Sequence, residues 1–289
     1  MQYPTISIIT PTYNAQETLK DCIESVAQQQ YPFLEHLIID GVSNDQTLSI
    51  LAEYAAKYPH IKWRSEKDKG IYDAMNKGIT LAQGEWLFFL GADDILLEGV
   101  CQKIFSQLDV QNLDLIYGKV RYQTYECGEA YIPTLVRKQD WKTPFVHRYM
   151  HHQGTFIRKK LFETFGKYSL KYMIGADIHF FIKVIDHPNV QKKFVDLYFT
   201  ELGEDGVSSQ VVELKLSYDF PMLAKKHLQV DIDRKSYYRT FAKYYFDDIY
   251  QKNLLKGLLG IGKIMLFKGD IIYYLNNTLY WLKRRIYKK

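Results

Sequence analysis

Through the first hundred residues, short apolar runs alternate with segments of helical periodicity, a pattern that predicts βαβ units and a largely parallel sheet. The first run is Ile6-Ser7-Ile8-Ile9-Thr10. After it, Asn14 with Glu17 three residues on predicts a capped helix start, and Leu19, Ile23 and Val26 recur at helical spacing. His36 to Ile39 reads as the second strand. Asp45 or a neighbour then opens a helix with Leu48, Leu51, Ala52 and Ala55 on its apolar face. Ile61 to Arg64 is the third strand. Ile71, Ala74, Met75, Ile79 and Ala82 mark the next helix, with Gly84 placed as the residue beyond its end. Trp86 to Leu90 is apolar throughout, so it is expected to be a central strand.

From about Leu113 the alternation loosens and aromatic, His and basic residues increase. Beyond Leu214 the pattern is helical and rich in Tyr and Lys. Three segments are expected: a first half over 1–112, a second half of the same domain over 113–213, and a helical basic extension over 214–289. No Pro/Gly/Ser-rich spacer separates them.

Lys and Arg number 38 against 33 Asp and Glu. An excess of 5 is too small to imply a nucleic-acid partner, and Lys283, Arg284, Arg285, Lys288 and Lys289 alone equal it. The apolar and basic residues from Leu254 onward suit either amphipathic helices on an anionic membrane surface or a helical hairpin packed on the main domain. Cys22, Cys101 and Cys127 form no C-x-x-C pattern, which argues against a disulfide framework or zinc site and for a reducing cytoplasm. No run reaches the roughly 18 apolar residues of a membrane span, and no signal-peptide pattern opens the chain. A cytoplasmic protein, peripheral on the inner membrane face through its tail, is the expectation.

In open α/β sheets ligands bind beyond the carboxyl ends of the strands. The four strands are followed there by Pro11-Thr12-Tyr13-Asn14, by Asp40-Gly41-Val42-Ser43-Asn44-Asp45, by Glu66-Lys67-Asp68-Lys69 and by Gly91-Ala92-Asp93-Asp94. Neither G-x-G-x-x-G after the first strand nor a phosphate-cradling G-x-x-x-x-G-K-[ST] is present. Two adjacent carboxylates after a buried strand instead suit Mg²⁺ or Mn²⁺, hard ions that also bind substrate phosphate oxygens. The plain alternatives are that Asp93 and Asp94 cap a following helix and that Asp177 is a first-turn acid favoured by a helix dipole. Ser43 and Asp45 read as structural caps.

These segments resemble the family-2 inverting glycosyltransferases of the GT-A fold, especially their bacterial polysaccharide-synthesis branch. The resemblance covers about residues 5 to 210 and adds the run Ser65 to Gly78, His152-Gln153 and Ala176-Asp177. It implies a Rossmann-like α/β fold and a nucleotide-diphosphate sugar donor, UDP-linked, with a glycan or lipid-linked acceptor. It also implies hexosyl or N-acetylhexosaminyl transfer. Pro11, Thr12, Tyr13 and Asp40 would meet the nucleoside, with Asp40 at the base. Asp68 and Lys69 would lie over base and phosphates, while Asp93 and Asp94 would share ribose and metal. Asp177 would be the base that deprotonates the acceptor, with His152, Gln153 and Glu204 on the acceptor side. Gly91 departs from the family pattern, which often has an acid there. The competing functions are a nucleotide-sugar-binding module without transfer and a metal-dependent nucleotide phosphohydrolase, for which His36 and His60 offer no convincing cluster.

Overall fold

The computed structural model describes residues 3–122, 150–203, 214–229 and 231–232. Strands β1 (Ile6–Thr12), β2 (Leu34–Asp40), β3 (Ile61–Ser65) and β4 (Trp86–Phe89) run parallel. Helices α1 (Leu19–Ala27), α2 (Thr47–Lys57) and α3 (Ile71–Leu81) make the crossovers. Short elements β5 (Ile95–Leu96) and α4 (Val100–Phe105) follow. Then come β6 (Leu115–Tyr122), β7 (Thr155–Arg158), α5 (Lys159–Phe165), α6 (Ala176–Val184), β8 (Lys192–Leu202) and α7 (Leu214–His227). The eight strands among the described residues share one sheet in the order β3-β2-β1-β4-β7-β6-β8-β5.

The fully apolar β4 is buried at every position and lies inside the sheet, as its sequence predicts. One apolar layer joins Ile6, Ile8, Trp86 and Phe88 to Val26 of α1 and to Phe156 and Phe199; another joins Ile38 to Ile23, Leu51 and Tyr54. The parallel front half gives way to a mixed back half, since β7 is antiparallel to both β4 and β6, whereas β8 is parallel to β6. Strand direction therefore places the start of β7 and the end of β8 at the same sheet edge as the ends of β1 to β4. There the register is flush, with Thr12 opposite Asp40 and Asp40 opposite Ser65.

Two local readings change. Asn14 does not cap α1, which starts after Thr18. It takes a left-handed φ of 50°, its N–H donates to Ser43 Oγ at 2.8 Å, and its Oδ1 accepts from Asn44 N at 2.9 Å. The same side-chain chemistry that caps helices is used here to tie two loops. Gly84 does not end α3 with a left-handed turn: a Cβ there would lie 2.4 Å from Ser7 N, so close backbone packing explains the glycine. Asp45 does serve the start of α2, accepting from Thr47 N at 2.9 Å.

His36 of β2 is fully buried, with Nε2 2.9 Å from Thr10 Oγ1 and Nδ1 without a partner among the described residues. Burial, reinforced by His60, pushes it down to about 3 from its ordinary 6.5. The unfolded chain thus takes up a proton near pH 6.5 that the folded chain refuses until about pH 3. Unfolding free energy from urea titrations should be unaffected by this group above pH 6.5 and should fall below it by about 1.4 kcal/mol per pH unit. A flat profile between pH 6.5 and 4 would contradict this.

Candidate active site

At the end of β1, Pro11 and Thr12 are buried, and Thr12 Oγ1 has no hydrogen-bond partner among the described residues. A buried hydroxyl left unpaired is uncommon and marks a place where a ligand or water completes it. The next residue, Tyr13, is 62% exposed. Asp40 is 0% exposed. Its Oδ2 accepts from Val42 N and Ser43 N at 3.0 Å and from Ser65 Oγ at 2.6 Å, and its Oδ1 accepts from Ser43 Oγ at 2.5 Å. Asp40 therefore lies beneath the turn after β2 and shapes it instead of lining its surface. The turn holds Val42 at φ 66°, an uncommon conformation for a β-branched residue.

Asp68 leans over that turn: a Cβ on Gly41 would lie 2.7 Å from Asp68 Oδ2 and 3.5 Å from the Tyr13 ring. Glycine is what lets the carboxylate and the aromatic ring approach the same backbone. Asp68 Oδ1 accepts from Gly70 N at 2.8 Å, and Lys77 Nζ donates to Lys67 O at 2.7 Å, so the loop carrying exposed Lys69 is held at both ends.

The two acids after β4 are unlike. Asp94 is 3% exposed; its Oδ2 accepts from Gly91 N at 2.9 Å and its Oδ1 from Gly203 N at 3.0 Å. It is a clip between the end of β4 and the end of β8. Asp93 is half-buried and lies between two glycines, since a Cβ on Gly91 would be 2.8 Å from its Oδ1 and one on Gly203 2.7 Å from its Oδ2. Gly91 thus has a physical reason: a side chain there would occupy the space of both carboxylates. Burial first, then the charge of Asp93, pushes Asp94 up to about 6 against the opposing pull of Gly203 N–H, Gly91 N–H and His152. Crowded carboxylates of this kind favour a cation. No group of three or more His, Cys, Asp or Glu that could hold a metal occurs among the described residues. The donor set fits a hard ion bound through one carboxylate and completed by substrate phosphates and water, not an all-protein cage. The short strand β5 follows directly, so neither acid caps a helix.

A third group forms at α6. Gly175, at φ 81°, precedes the helix and its N–H meets the Tyr72 hydroxyl at 3.0 Å. Asp177, in the first turn, is 9% exposed. Its Oδ1 accepts from Tyr72 Oη–H at 2.7 Å and its Oδ2 lies 2.8 Å from His152 Nδ1. Burial alone would raise its pKa, but His152, Tyr72 and the Ile178 N–H outweigh it and hold Asp177 at about 2. It is a standing anion. The 3-10 turn His152–Gly154 opens onto β7 and is pinned by Thr155 Oγ1 to His151 O at 2.8 Å and by Thr200 Oγ1 to Gln153 O at 2.5 Å. Tyr168 is buried against Tyr72, with ring centroids 5.4 Å apart, and its hydroxyl has no partner among the described residues.

The site therefore gathers Thr12, Tyr13, Asp68, Asp93 and Asp94 at one edge and joins Asp177 to His152. Gln153 is half-buried beside them, and Glu204 lies outside the described residues. Sequence reasoning missed Tyr72, Tyr168 and Gly203 as site groups. Tyr72 stands within the Ser65 to Gly78 run and had a signal there; the backbone N–H of Gly203 had none.

A family model described as glycosyl transferase family 2 matches residues 7–169. The chain is 32% identical over 241 residues to a PGL/p-HBAD biosynthesis glycosyltransferase of Mycobacterium tuberculosis (strain ATCC 25618 / H37Rv), covering 80% of this chain and 90% of that protein. It is 31% identical over 131 residues to the uncharacterized glycosyltransferase YibD of Escherichia coli K12, covering 45% of this chain and 38% of that one. Among solved structures it superposes on S. aureus TarS 1-349 in complex with UDP, with TM-score 0.62 and 18% identity, over 85% of this chain and 72% of that one. It also superposes on the mannosyltransferase PcManGT from Pyrobaculum calidifontis in complex with GDP-Man and Mn²⁺, with TM-score 0.57 and 16% identity, over 95% and 84%. These structural matches speak to the fold, a GT-A arrangement. The family match and the sequence identity over most of both chains give the conclusion that this chain belongs to glycosyl transferase family 2.

Proposed function

We propose that the chain transfers a sugar from a nucleotide diphosphate, UDP in the first instance, to a hydroxyl of a glycan or lipid-linked acceptor in cell-surface polysaccharide synthesis, with inversion. The carrying observation is the edge that joins an unpaired buried hydroxyl, Thr12 Oγ1, to a half-open carboxylate, Asp93. Tyr13 offers a ring for a base to stack on, and Asp68 and Lys69 border it. Asp40 contributes to the nucleoside side through the turn it shapes. Asp93 would hold Mg²⁺ or Mn²⁺, with Asp94 positioning it, and the ion's chemistry is to offset charge on the departing diphosphate. TarS bound to UDP and to UDP-GlcNAc, and PcManGT bound to GDP-Man and Mn²⁺, are precedents on the same fold.

On the acceptor side the buried anion at Asp177 anchors the basic centre that removes the hydroxyl proton during a single displacement at the anomeric carbon. His152 and Gln153 border it. Either a hexosyl or an N-acetylhexosaminyl group would be moved. Mn²⁺ with UDP should raise the melting temperature, the stabilisation reaching about 2.7 kcal/mol when UDP is at about 100 times its Kd. A product retaining the donor's anomeric configuration would exclude this mechanism. Rapid donor breakdown without an added acceptor would favour the phosphohydrolase reading, and tight binding without any turnover the binding module.

No helix among the described residues is long and apolar enough to cross a membrane. The segment from Leu254 to Lys289 lies outside the described residues; its apolar and basic composition supports peripheral attachment to an anionic membrane surface on the cytoplasmic side. The full chain should pellet with anionic vesicles and a chain ending at Leu254 should not; equal pelleting would refute the tail's role.

A further inference from the structure

We infer that His152 Nε2 receives the acceptor's proton and that Asp177 acts through it as the positioning carboxylate. This rests on the transferase reading above and deepens it by naming the atom.

Both oxygens of Asp177 are already engaged, Oδ1 by Tyr72 Oη and Oδ2 by His152 Nδ1. The Tyr72 hydroxyl accepts from Gly175 N, so its own proton is committed to the carboxylate. An ionised carboxylate only accepts hydrogen bonds, so the hydrogen between Asp177 and His152 belongs to Nδ1. A neutral imidazole protonated at Nδ1 carries its lone pair on Nε2. Among the described residues no hydrogen bond reaches that nitrogen. The tautomer a proton acceptor needs is therefore the one the buried anion imposes.

Base strength points the same way. Held near 2, Asp177 is far below the pH at which a general base works best. The imidazole is also fixed in place. Its 3-10 turn is pinned at His151 O and Gln153 O, and its ring meets Phe89 of β4 edge-on at 89° with centroids 6.0 Å apart. The titratable groups that face it are Asp177 of α6, Asp94 after β4, and Tyr72 and Tyr168 behind the carboxylate. Phe89 is the last residue of β4, the strand that leads into Asp93 and Asp94.

In the step, the acceptor oxygen forms its bond to the anomeric carbon as its proton passes to Nε2. The bond from that carbon to the diphosphate oxygen breaks, and its electron pair leaves with the diphosphate. The imidazolium stays paired with Asp177 until it returns the proton to solvent.

The test uses the full chain as wild type, His152→Ala, His152→Gln and Asp177→Asn. Mn²⁺-dependent UDP release is followed from UDP-glucose, UDP-galactose and UDP-N-acetylglucosamine, with water and with octyl glucoside as acceptors, and UDP binding by calorimetry. His152→Ala should lower kcat by about 10²–10⁴ with UDP affinity retained, and added imidazole should restore part of the loss in proportion to its neutral form. The acid limb of the pH profile should vanish in His152→Gln. Turnover within about tenfold of wild type in both His152 variants, with Asp177→Asn inactive, would overturn the inference and return the base to Asp177. A loss in His152→Ala that imidazole does not relieve, with the acid limb intact in His152→Gln, would overturn it as well. A separate arm needs no substrate: nitrogen-15 spectra of labelled histidines should show His152 protonated at Nδ1 in wild type, and an Nε2-protonated tautomer would refute it. Wild-type chain that neither binds UDP nor releases it counts against the transferase reading, and the tautomer then decides the dyad alone.

Discussion

Asp177→Asn is expected to fold, to bind UDP with wild-type affinity and to lose about 10²–10⁴ of the transfer rate. The carboxylate is acceptor-only and takes hydrogen bonds from Tyr72 and His152. An amide in its place presents a donor on one side. If that N–H₂ turns to Tyr72, two donors compete and the hydroxyl must rotate; if it turns to His152, the imidazole must hold its proton on the far nitrogen. In the second case the proton-accepting lone pair is misplaced, and in the first the imidazole keeps its tautomer but loses the anion that would stabilise its protonated form; the edge at Thr12 and Asp93 is untouched in both. Wild-type turnover in Asp177→Asn would show that the group at α6 is structural.

The second large effect separates the acidic pair. Asp94→Ala leaves the N–H groups of Gly91 and Gly203 without their acceptor in a buried place, and should lower unfolding free energy by about 2–4 kcal/mol. Asp93→Asn should lower it by less than Asp94→Ala does, because the amide is nearly isosteric and removes a charge that crowds Asp94. The order reverses for ligand binding. Asp93→Asn should abolish the dependence of UDP affinity on Mn²⁺, whereas any Asp94→Ala protein that remains folded should keep part of it. Denaturant titrations and calorimetry with and without the ion test both halves, and equal stability losses would mean that the pair is not divided in this way.

The gathering of polar groups at one sheet edge was legible because each apolar run that becomes a parallel strand is followed at once by its polar cluster. What the pattern could not show was the division of labour inside those clusters. Asp93 and Asp94 are neighbours of the same type, and what separates them is the N–H of Gly203, which arrives from β8. The resemblance places Asp40 at the base; its burial beneath the turn depends on Ser65 of the next strand, whose hydroxyl donates to it, and local pattern does not show that. Tyr72 and Asp177 are 105 positions apart, and the antiparallel entry of β7 that brings His152 to them leaves no mark on periodicity. Asn14 was misread because an amide side chain that caps a helix bridges two loops by the same hydrogen bonds.

Asp40 also has a consequence for how a nucleotide would arrive under the proposed function. It grips the turn after β2 and the end of β3, and Ser43 and Asn14 fasten the same turn to the loop after β1, so two loops and a strand end form one stiff unit. A partner docking onto such a surface gives up its own freedom but asks little ordering of the protein. Donor capture should therefore resemble a key entering a cut lock, with rapid association and small changes in backbone amide exchange around these loops on binding UDP.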